Sequence, residues 1–417
     1  MHIHGKKTLL FIEPFLSSPL LVLKAKEKGY KTLVISAHFD YRTLPEDVLD
    51  ASSSLFQLDT NNEKAVLDLV DKIACTFYID GVISGAEYYV PLTSKVAAHL
   101  DKPGLRLDSA LRIHRKDLMR ETLKAHNIPI PPYQKVETEK DLKKALKIIG
   151  FPCVLRPIHH TSSVNAKKVT TYEEAFLAFK APDPFQKGAL VEACMQGQEY
   201  AIQGFLKNNE IHLISMTEKF LSPKSDFAEV GYILRSEMDL DLLLQIEPYL
   251  KKVIAALKLN YGPFHAEIKL SENGPFLMEI TTCLTENKIS KLIEYATGID
   301  YYDIILKLSS NQPLSLQKTR NLNAGLAFFY HPHLKEGCTN TYIKALLKDP
   351  SVKEAQVYYK EGEEIPDGSQ EKHKLGYAIL LHEKYDVLKQ SLREIEMKAS
   401  FSEEIKTGVK IVSRETI

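Results

Sequence analysis

The chain of 417 residues is defined first by what it lacks. No apolar run approaches the roughly 18–20 residues that a membrane-spanning helix needs, so no membrane partner is expected. The N-terminus runs from Met1 to Lys7 into the short stretch Thr8–Ile12 and then Glu13-Pro14. It has neither the apolar length nor the small-residue cleavage site of a secretion signal, which predicts a cytoplasmic location. Cysteine is scarce. Cys75, Cys153, Cys194, Cys283 and Cys338 are odd in number, scattered, and form no Cys-x-x-Cys pair, which fits reduced thiols and excludes a disulfide framework or zinc knuckle. Net charge is also missing, 54 Lys and Arg against 54 Asp and Glu. Without a basic excess, a dedicated nucleic-acid binder is not expected, although a local basic groove for a small anion remains open. Finally, no Gly-x-Gly-x-x-Gly follows the first strand-like run, where Phe15-Leu16-Ser17-Ser18-Pro19 stands instead, so a dinucleotide fingerprint is absent.

What is present reads as a multidomain α/β and α+β protein, since one core stops growing near about 250–300 residues. Residues 1–108 alternate buried strand-like runs (Thr8–Ile12, Lys31–Ser36, Val82–Ser84) with stretches of helical spacing. That order implies a Rossmann-like parallel sheet with right-handed crossovers. Residues 109–132 read as one helix from Ser109 to His126 and a linker, Asn127-Ile128-Pro129-Ile130-Pro131-Pro132, broken by its prolines. A small α+β lobe is expected over 133–205, a larger antiparallel lobe over 206–312, and a C-terminal α+β lobe over 313–417 with strands at Ala324–Tyr330, Gly376–Leu381 and Val409–Val412. Pro248 must lie near the start of its helix or kink it.

The most informative local pattern is Gly262–Leu270 followed by Pro275–Thr282, joined by turn residues Ser271-Glu272-Asn273-Gly274. A three-residue loop, Glu272 to Gly274, sets Ala266, Ile268 and Leu270 against Ile280, Met278 and Phe276 on one apolar face. The other face then places Glu267 opposite Glu279 and His265 opposite Thr281. Two opposed carboxylates repel by up to about 1 kcal/mol, so a central hairpin calls for a cation. Lys269 is one candidate. Mg²⁺, held by one or two carboxylates plus phosphates, is the other. The residues alone leave both open.

A longer ordered set carries more. It runs from Ala110 to Arg120, then Ile128-Pro129-Ile130-Pro131, Gly150-Phe151-Pro152-Cys153-Val154-Leu155-Arg156-Pro157, Leu190-Val191-Glu192 and Gly197-Gln198-Glu199-Tyr200. It ends with Gly262-Pro263-Phe264-His265-Ala266-Glu267 and Met278-Glu279-Ile280. In this order the chain resembles the ATP-grasp superfamily, and within it the carboxylate–amine ligases of the L-amino-acid ligase (dipeptide synthase) type. The resemblance implies the ATP-grasp fold of two α+β lobes after the N-terminal domain. It also implies ATP and Mg²⁺ (with Mn²⁺ as a substitute) and small carboxylate and amine substrates, amino acids above all. A homodimer is compatible with it. Position by position it makes Lys116 and Arg156 the phosphate cations. Glu192 sits by the adenine amino group, the backbone of Ala193 and Met195 at the adenine edge, and Glu199 at the ribose. Glu267 and Glu279 are the metal carboxylates, with Thr281 offering a further oxygen.

The chain also departs from that pattern. The loop after Arg156 reads Ile158-His159-His160-Thr161-Ser162-Ser163-Val164 where glycines are usual. Ser162 and Ser163 can still contact phosphate, but close backbone approach is harder without glycine. The family's Asn and Arg after the second carboxylate are Thr281 and Cys283. Cysteine cannot replace a cation on a transferring phosphoryl group. Arg235, where proline is usual, or Lys219 is the candidate for that missing charge. Each of these residues also has a plain reading. Lys116 can be a solvated lysine, Arg156 half of a buried ion pair, and Cys283 a small filler or, with no flanking signature, a nucleophile on the substrate face. Glu87 follows a strand at the carboxyl end where open sheets bind ligands, so it meets substrate or caps a helix. His159-His160 and His331-Pro332-His333 have no convincing ligand set and read as surface histidines. Two functions follow: an ATP-dependent ligase acting through an acyl phosphate, or a degenerate ATP-grasp protein that binds nucleotide or a metabolite without ligation.

Overall fold

A computed structural model describes residues 6–15, 18–37, 44–158, 166–181, 188–222, 229–284, 288–329, 346–358, 374 and 376–400. The chain divides into two compact units. The first comprises Met1–Met216, Met238–Ser290 and Ile299–Gln317, and the second Thr217–Glu237, Lys291–Gly298 and Lys318–Ile417. No helix among the described residues is long and apolar enough to cross a membrane.

The first unit opens with the expected parallel sheet. Strands β1 (Thr8–Ile12), β2 (Lys31–Ser36), β3 (Ser54–Gln57) and β4 (Gly81–Ser84) lie in the order β3-β2-β1-β4. All five residues of β1 are buried, the continuous apolar signature of a parallel strand covered on both faces. Helices α1 (Pro19–Glu27), α2 (Glu46–Ala51), α3 (Glu63–Thr76) and α4 (Val90–His99) connect and flank the strands. The end of β4 is shaped by Gly85: a Cβ there would lie 1.9 Å from the Glu13 carbonyl oxygen. A single 3₁₀ turn, Glu87–Tyr89, follows.

The helix expected from Ser109 to His126 is instead two, α5 (Leu107–His114) and α6 (Lys116–Ala125), separated by an extended Arg115. Arg115 binds the side chain of Asp117 through two nitrogens, at 3.1 and 2.6 Å, a local exchange of backbone for side-chain bonding that the helical periodicity does not reveal. A second sheet, β5-β8-β6-β7, is built from β5 (Tyr133–Val136), β6 (Cys153–Pro157), β7 (Lys167–Val169) and β8 (Ala189–Ala193). Its pairings are antiparallel. Helices α7 (Glu139–Ile149) and α8 (Tyr172–Lys180) cover it through Leu142, Leu146 and Ala175.

The third element of this unit positions the candidate site. Strands β9 (Gln198–Lys207), β12 (Gly262–Ser271) and β13 (Gly274–Thr281) form an antiparallel layer. Its apolar face, with Ala266, Ile268, Leu277 and Ile280, packs on α9 (Leu240–Leu257) and on Ala110, Ile113, Met119 and Leu123 of α5 and α6. Helix α9 runs through Pro248 rather than starting at it. Helix α10 (Tyr301–Ser309) completes the unit.

Strand β10 (Glu210–Leu221) passes from the first unit into the second between Met216 and Thr217. In the second unit its end pairs with β11 (Glu229–Leu234), which pairs with β14 (Asn323–Phe329). Beyond lie β16 (Gly376–His382) and β15 (Val352–Val357), all antiparallel. Helix α11 (Tyr385–Ser400) packs on them through Leu388, Leu392 and Ile395. The strand expected at Val409–Val412 lies outside the described residues.

Candidate active site

The hairpin brings its two acids together as the alternation predicts, but by a different route. Glu267 pairs with Glu279, Ala266 with Ile280 and His265 with Thr281. Nearer the turn the expected register fails. Ser271 pairs with Gly274 across a two-residue loop, Ile268 faces Leu277 rather than Met278, and a bulge falls between Glu267 and Ile268. Leu277, fully buried, takes the core position that the three-residue loop would have given Met278.

Lys116, at the start of α6, reaches Glu279: its Nζ donates to Oε1 at 2.5 Å, and both side chains are largely buried. The cation recorded on Glu279 is therefore Lys116. Lys269, the sequence candidate, lies 3.5 Å from Glu199 across the β9–β12 pair. Glu267 has His265 beside it, Nε2 to Oε1 3.5 Å. His265 Nδ1 faces Gln203 Nε2 at 2.8 Å, and Ser215 Oγ donates to Gln203 Oε1 at 2.6 Å. With Gln203 donating to Nδ1, the histidine proton sits on Nε2, on the side of Glu267. Nothing in the sequence pattern singles out Gln203 or Ser215.

Glu87 completes this end. Burial first, then the charges of Glu279 and Glu267, push its carboxyl well above the ordinary glutamate range against the pull of Lys116. Thr281 Oγ1, at the end of β13, and Cys283 Sγ, just beyond it, lie 3.4 Å apart. Among the described residues, no three His, Cys, Asp or Glu side chains form a preformed metal cluster. Two opposed carboxylates and a nearby hydroxyl nonetheless suit Mg²⁺, which takes few protein ligands and completes its shell with phosphate and water.

The other end is differently charged. Glu192 on β8 is 1% exposed and lies between two guanidinium groups, Arg120 Nε at 2.6 Å and Arg156 Nε at 3.0 Å. Burial opposes its ionisation, yet the two arginines hold its carboxyl below the usual range. The ion-pair reading of Arg156 is thus what its Nε makes. The approach of Arg156 Nε lacks hydrogen-bond geometry, so Glu192 Oε2 accepts no hydrogen bond and stays open to a further donor. The Ala193 N–H is already taken by the Pro132 carbonyl at 2.8 Å. Arg120, buried to 1%, was not singled out by sequence; the signal was its position four residues after Lys116, on the same helix face.

Ser162 and Ser163 lie outside the described residues, as do His159, His160 and His331–His333. Lys219 and Arg235 belong to the second unit. There Lys219 pairs with Glu229 at 3.2 Å, and Arg235 lies 3.4 Å from Glu218 with its guanidinium 3.9 Å over the Tyr385 ring.

Residues 149–287 match the ATP-grasp domain family, and the chain carries an ATP-grasp domain there. Its particular likeness is to ligases of the L-amino-acid type. Alanine–anticapsin ligase of Bacillus subtilis (strain 168) is 24% identical over 332 residues, 73% of this chain and 68% of that protein. The crystal structure of L-amino acid ligase from Bacillus licheniformis has a TM-score of 0.77 at 21% identity, covering 95% of this chain and 98% of that one. N5-carboxyaminoimidazole synthetase from Staphylococcus aureus complexed with ADP has a TM-score of 0.72 at 15% identity, over 96% and 99% of the two chains.

Proposed function

We propose that this protein is an ATP- and Mg²⁺-dependent carboxylate–amine ligase that joins amino acids. The observation that carries the reading is the charge imbalance of the candidate site. One end offers two guanidinium groups to a single carboxylate. The other gathers Glu87, Glu267 and Glu279 around Lys116. A nucleotide with its adenine toward Glu192 and its phosphates toward Lys116 and Arg156 meets cations along its length. A divalent ion on Glu267 and Glu279 supplies the positive charge that the acidic end needs and screens the phosphates of ATP.

In the reaction, a substrate carboxylate oxygen attacks the γ-phosphorus and ADP leaves, giving an acyl phosphate. The neutral amine of the second substrate then attacks the acyl carbon, phosphate leaves, and the amine proton is lost. The amide is formed at the cost of one ATP. Lys116 stabilises phosphate charge, Glu199 takes the ribose hydroxyls, and His265 holds Glu267 in place. Glu87, just after β4 and near the same acids, takes a substrate amino group in this reading. A preorganised cation such as Lys116, aimed at the developing phosphoryl charge, is worth several kcal/mol of barrier.

One observation favours a second reading. Cys283 lies against Thr281, where the family resemblance calls for an arginine. If neither Arg235 nor Lys219 replaces that charge, the protein binds ATP and turns over very slowly. Phosphate release with ATP, Mg²⁺ and a pooled amino-acid mixture decides. Turnover that is lost in Glu279→Gln supports the ligase. Tight ADP binding without phosphate release supports the second reading, and no nucleotide binding by folded protein sinks both.

A further inference from the structure

We infer that Arg120 is a positioning residue that pins the β13 bulge and the hinge carboxylate Glu192 in one joint, so that a single guanidinium sets both ends of the candidate site. Its Nε donates to Glu192 Oε1 at 2.6 Å, its Nη1 to the Leu277 carbonyl at 2.7 Å and its Nη2 to the Met278 carbonyl at 3.1 Å. In a regular strand successive carbonyls point to opposite sides, so one side chain cannot bond two in a row; a bulge permits it. The guanidinium is planar, with its donors fixed in a fork, so the three bonds lock the carboxylate and the bulge into one geometry. The amide of Leu277, on the open edge of β13, donates to Tyr249 Oη at 2.7 Å, and Tyr249 in turn donates to the Pro129 carbonyl.

The bulge decides where Glu279 points. Between Ser271 and Ile268 the paired residue numbers follow the two-residue turn, and continuing that register would set Glu279 opposite Ala266, on the apolar face. A shift of one residue flips every following side chain. With Met278 as the extra residue, Glu279 returns to the face of Glu267, where Lys116 meets it from one turn before Arg120 on the same helix. Arg120 and Lys116 thus hold the bulge and the acid that the bulge delivers.

The consequence for metal rests on the proposed function, and binding rather than turnover tests it. Calorimetry would measure Mn²⁺ affinity in the presence of ADP, and ADP affinity without metal, for wild type, Arg120→Lys and Tyr249→Phe. Lysine keeps the charge but cannot span two carbonyls and a carboxylate. Arg120→Lys should weaken Mn²⁺ by about tenfold, the size found for residues that orient metal ligands, and weaken metal-free ADP as well. Tyr249→Phe removes the bonds to the Leu277 amide and the Pro129 carbonyl and leaves Arg120 and Glu192 in place. It should weaken Mn²⁺ by about threefold, less than the roughly tenfold expected of a residue that orients a ligand directly, and leave metal-free ADP unchanged, which a general loosening of the fold would not do. Folded Arg120→Lys with both affinities within about twofold of wild type overturns the inference. So does Tyr249→Phe that weakens metal-free ADP, and this variant decides alone if Arg120→Lys does not fold. Wild type that binds neither ligand overturns the inference and the proposed function together, whereas wild type that binds both without turnover bears on the ligase reading alone.

Discussion

The two ends of the candidate site solve the same problem in opposite ways. Each has a glutamate among other charges, the buried Glu192 at one end and the half-buried Glu87 at the other. Two guanidinium groups hold Glu192 ionised in spite of its burial. At the other end burial and two neighbouring carboxylates push Glu87 toward its protonated form, and Lys116, paired with Glu279, only partly offsets them. A buried ionised carboxylate is therefore no mark of function by itself. Glu354 in the second unit is also held below its usual range: burial opposes ionisation, but Lys291, Tyr377 and Tyr295 outweigh it. What sets the candidate site apart is one end with its charges matched beside another that lacks positive charge.

The largest expected effect separates the ends by activity. Glu279→Gln removes one of two opposed carboxylates and should reduce Mg²⁺-dependent phosphate release to background while leaving the protein folded. Unchanged turnover in that variant would remove the metal assignment.

At the matched end the expected effect is on stability. Glu192→Gln leaves two buried guanidinium groups without their anion, and breaking such a buried network costs about 3–5 kcal/mol. Chemical denaturation of the variant should show that loss. A change below about 1 kcal/mol, the scale of an exposed pair, would mean the arginines are not held by Glu192.

The smallest effect is a difference in sign. Glu192 has a lowered folded value, so its contribution is present above the ordinary glutamate range and is lost as pH falls through the folded value. Glu87 has a raised one. The folded state then binds more protons than the unfolded, and stability falls as pH rises from about 4.3 through the folded value. Glu87→Gln mimics the protonated form. In chelator-treated protein it should melt higher than wild type at pH 7 and lose part of the decline with rising pH. Thermal melts across pH that show Glu87→Gln less stable than wild type at pH 7 would break the contrast.

Much of this was legible beforehand for reasons that can be named. The parallel sheet announced itself through short apolar runs separated by helical spacing, because strands covered on both faces bury every residue. The opposition of Glu267 and Glu279 followed from alternation, because a slip would bury charge and expose Ile280. The bulge was not legible. Leu277 and Met278 are both apolar, so hydrophobicity alone cannot tell which faces the core, and the choice was made by packing on α9 and by Arg120. The break at Arg115 was hidden for a similar reason: Arg115 and Asp117 are ordinary helix residues until their side chains bond each other. The residue paired with Glu279 was not legible: strand spacing offered Lys269 beside Mg²⁺, whereas Lys116 comes from a helix 163 positions away.

By itself the sequence determined the classes of element, the pair of opposed acids and the ordered set of residues that resembles an ATP-grasp ligase, since periodicity and turn chemistry are local properties of the chain. Folding alone set which cation meets which carboxylate, the link that Arg120 makes between β8 and β13, and the nearness of Glu87 to Glu279. Those contacts link residues far apart in sequence, and their energies depend on burial and on the joint placement of several charges, which no local pattern encodes.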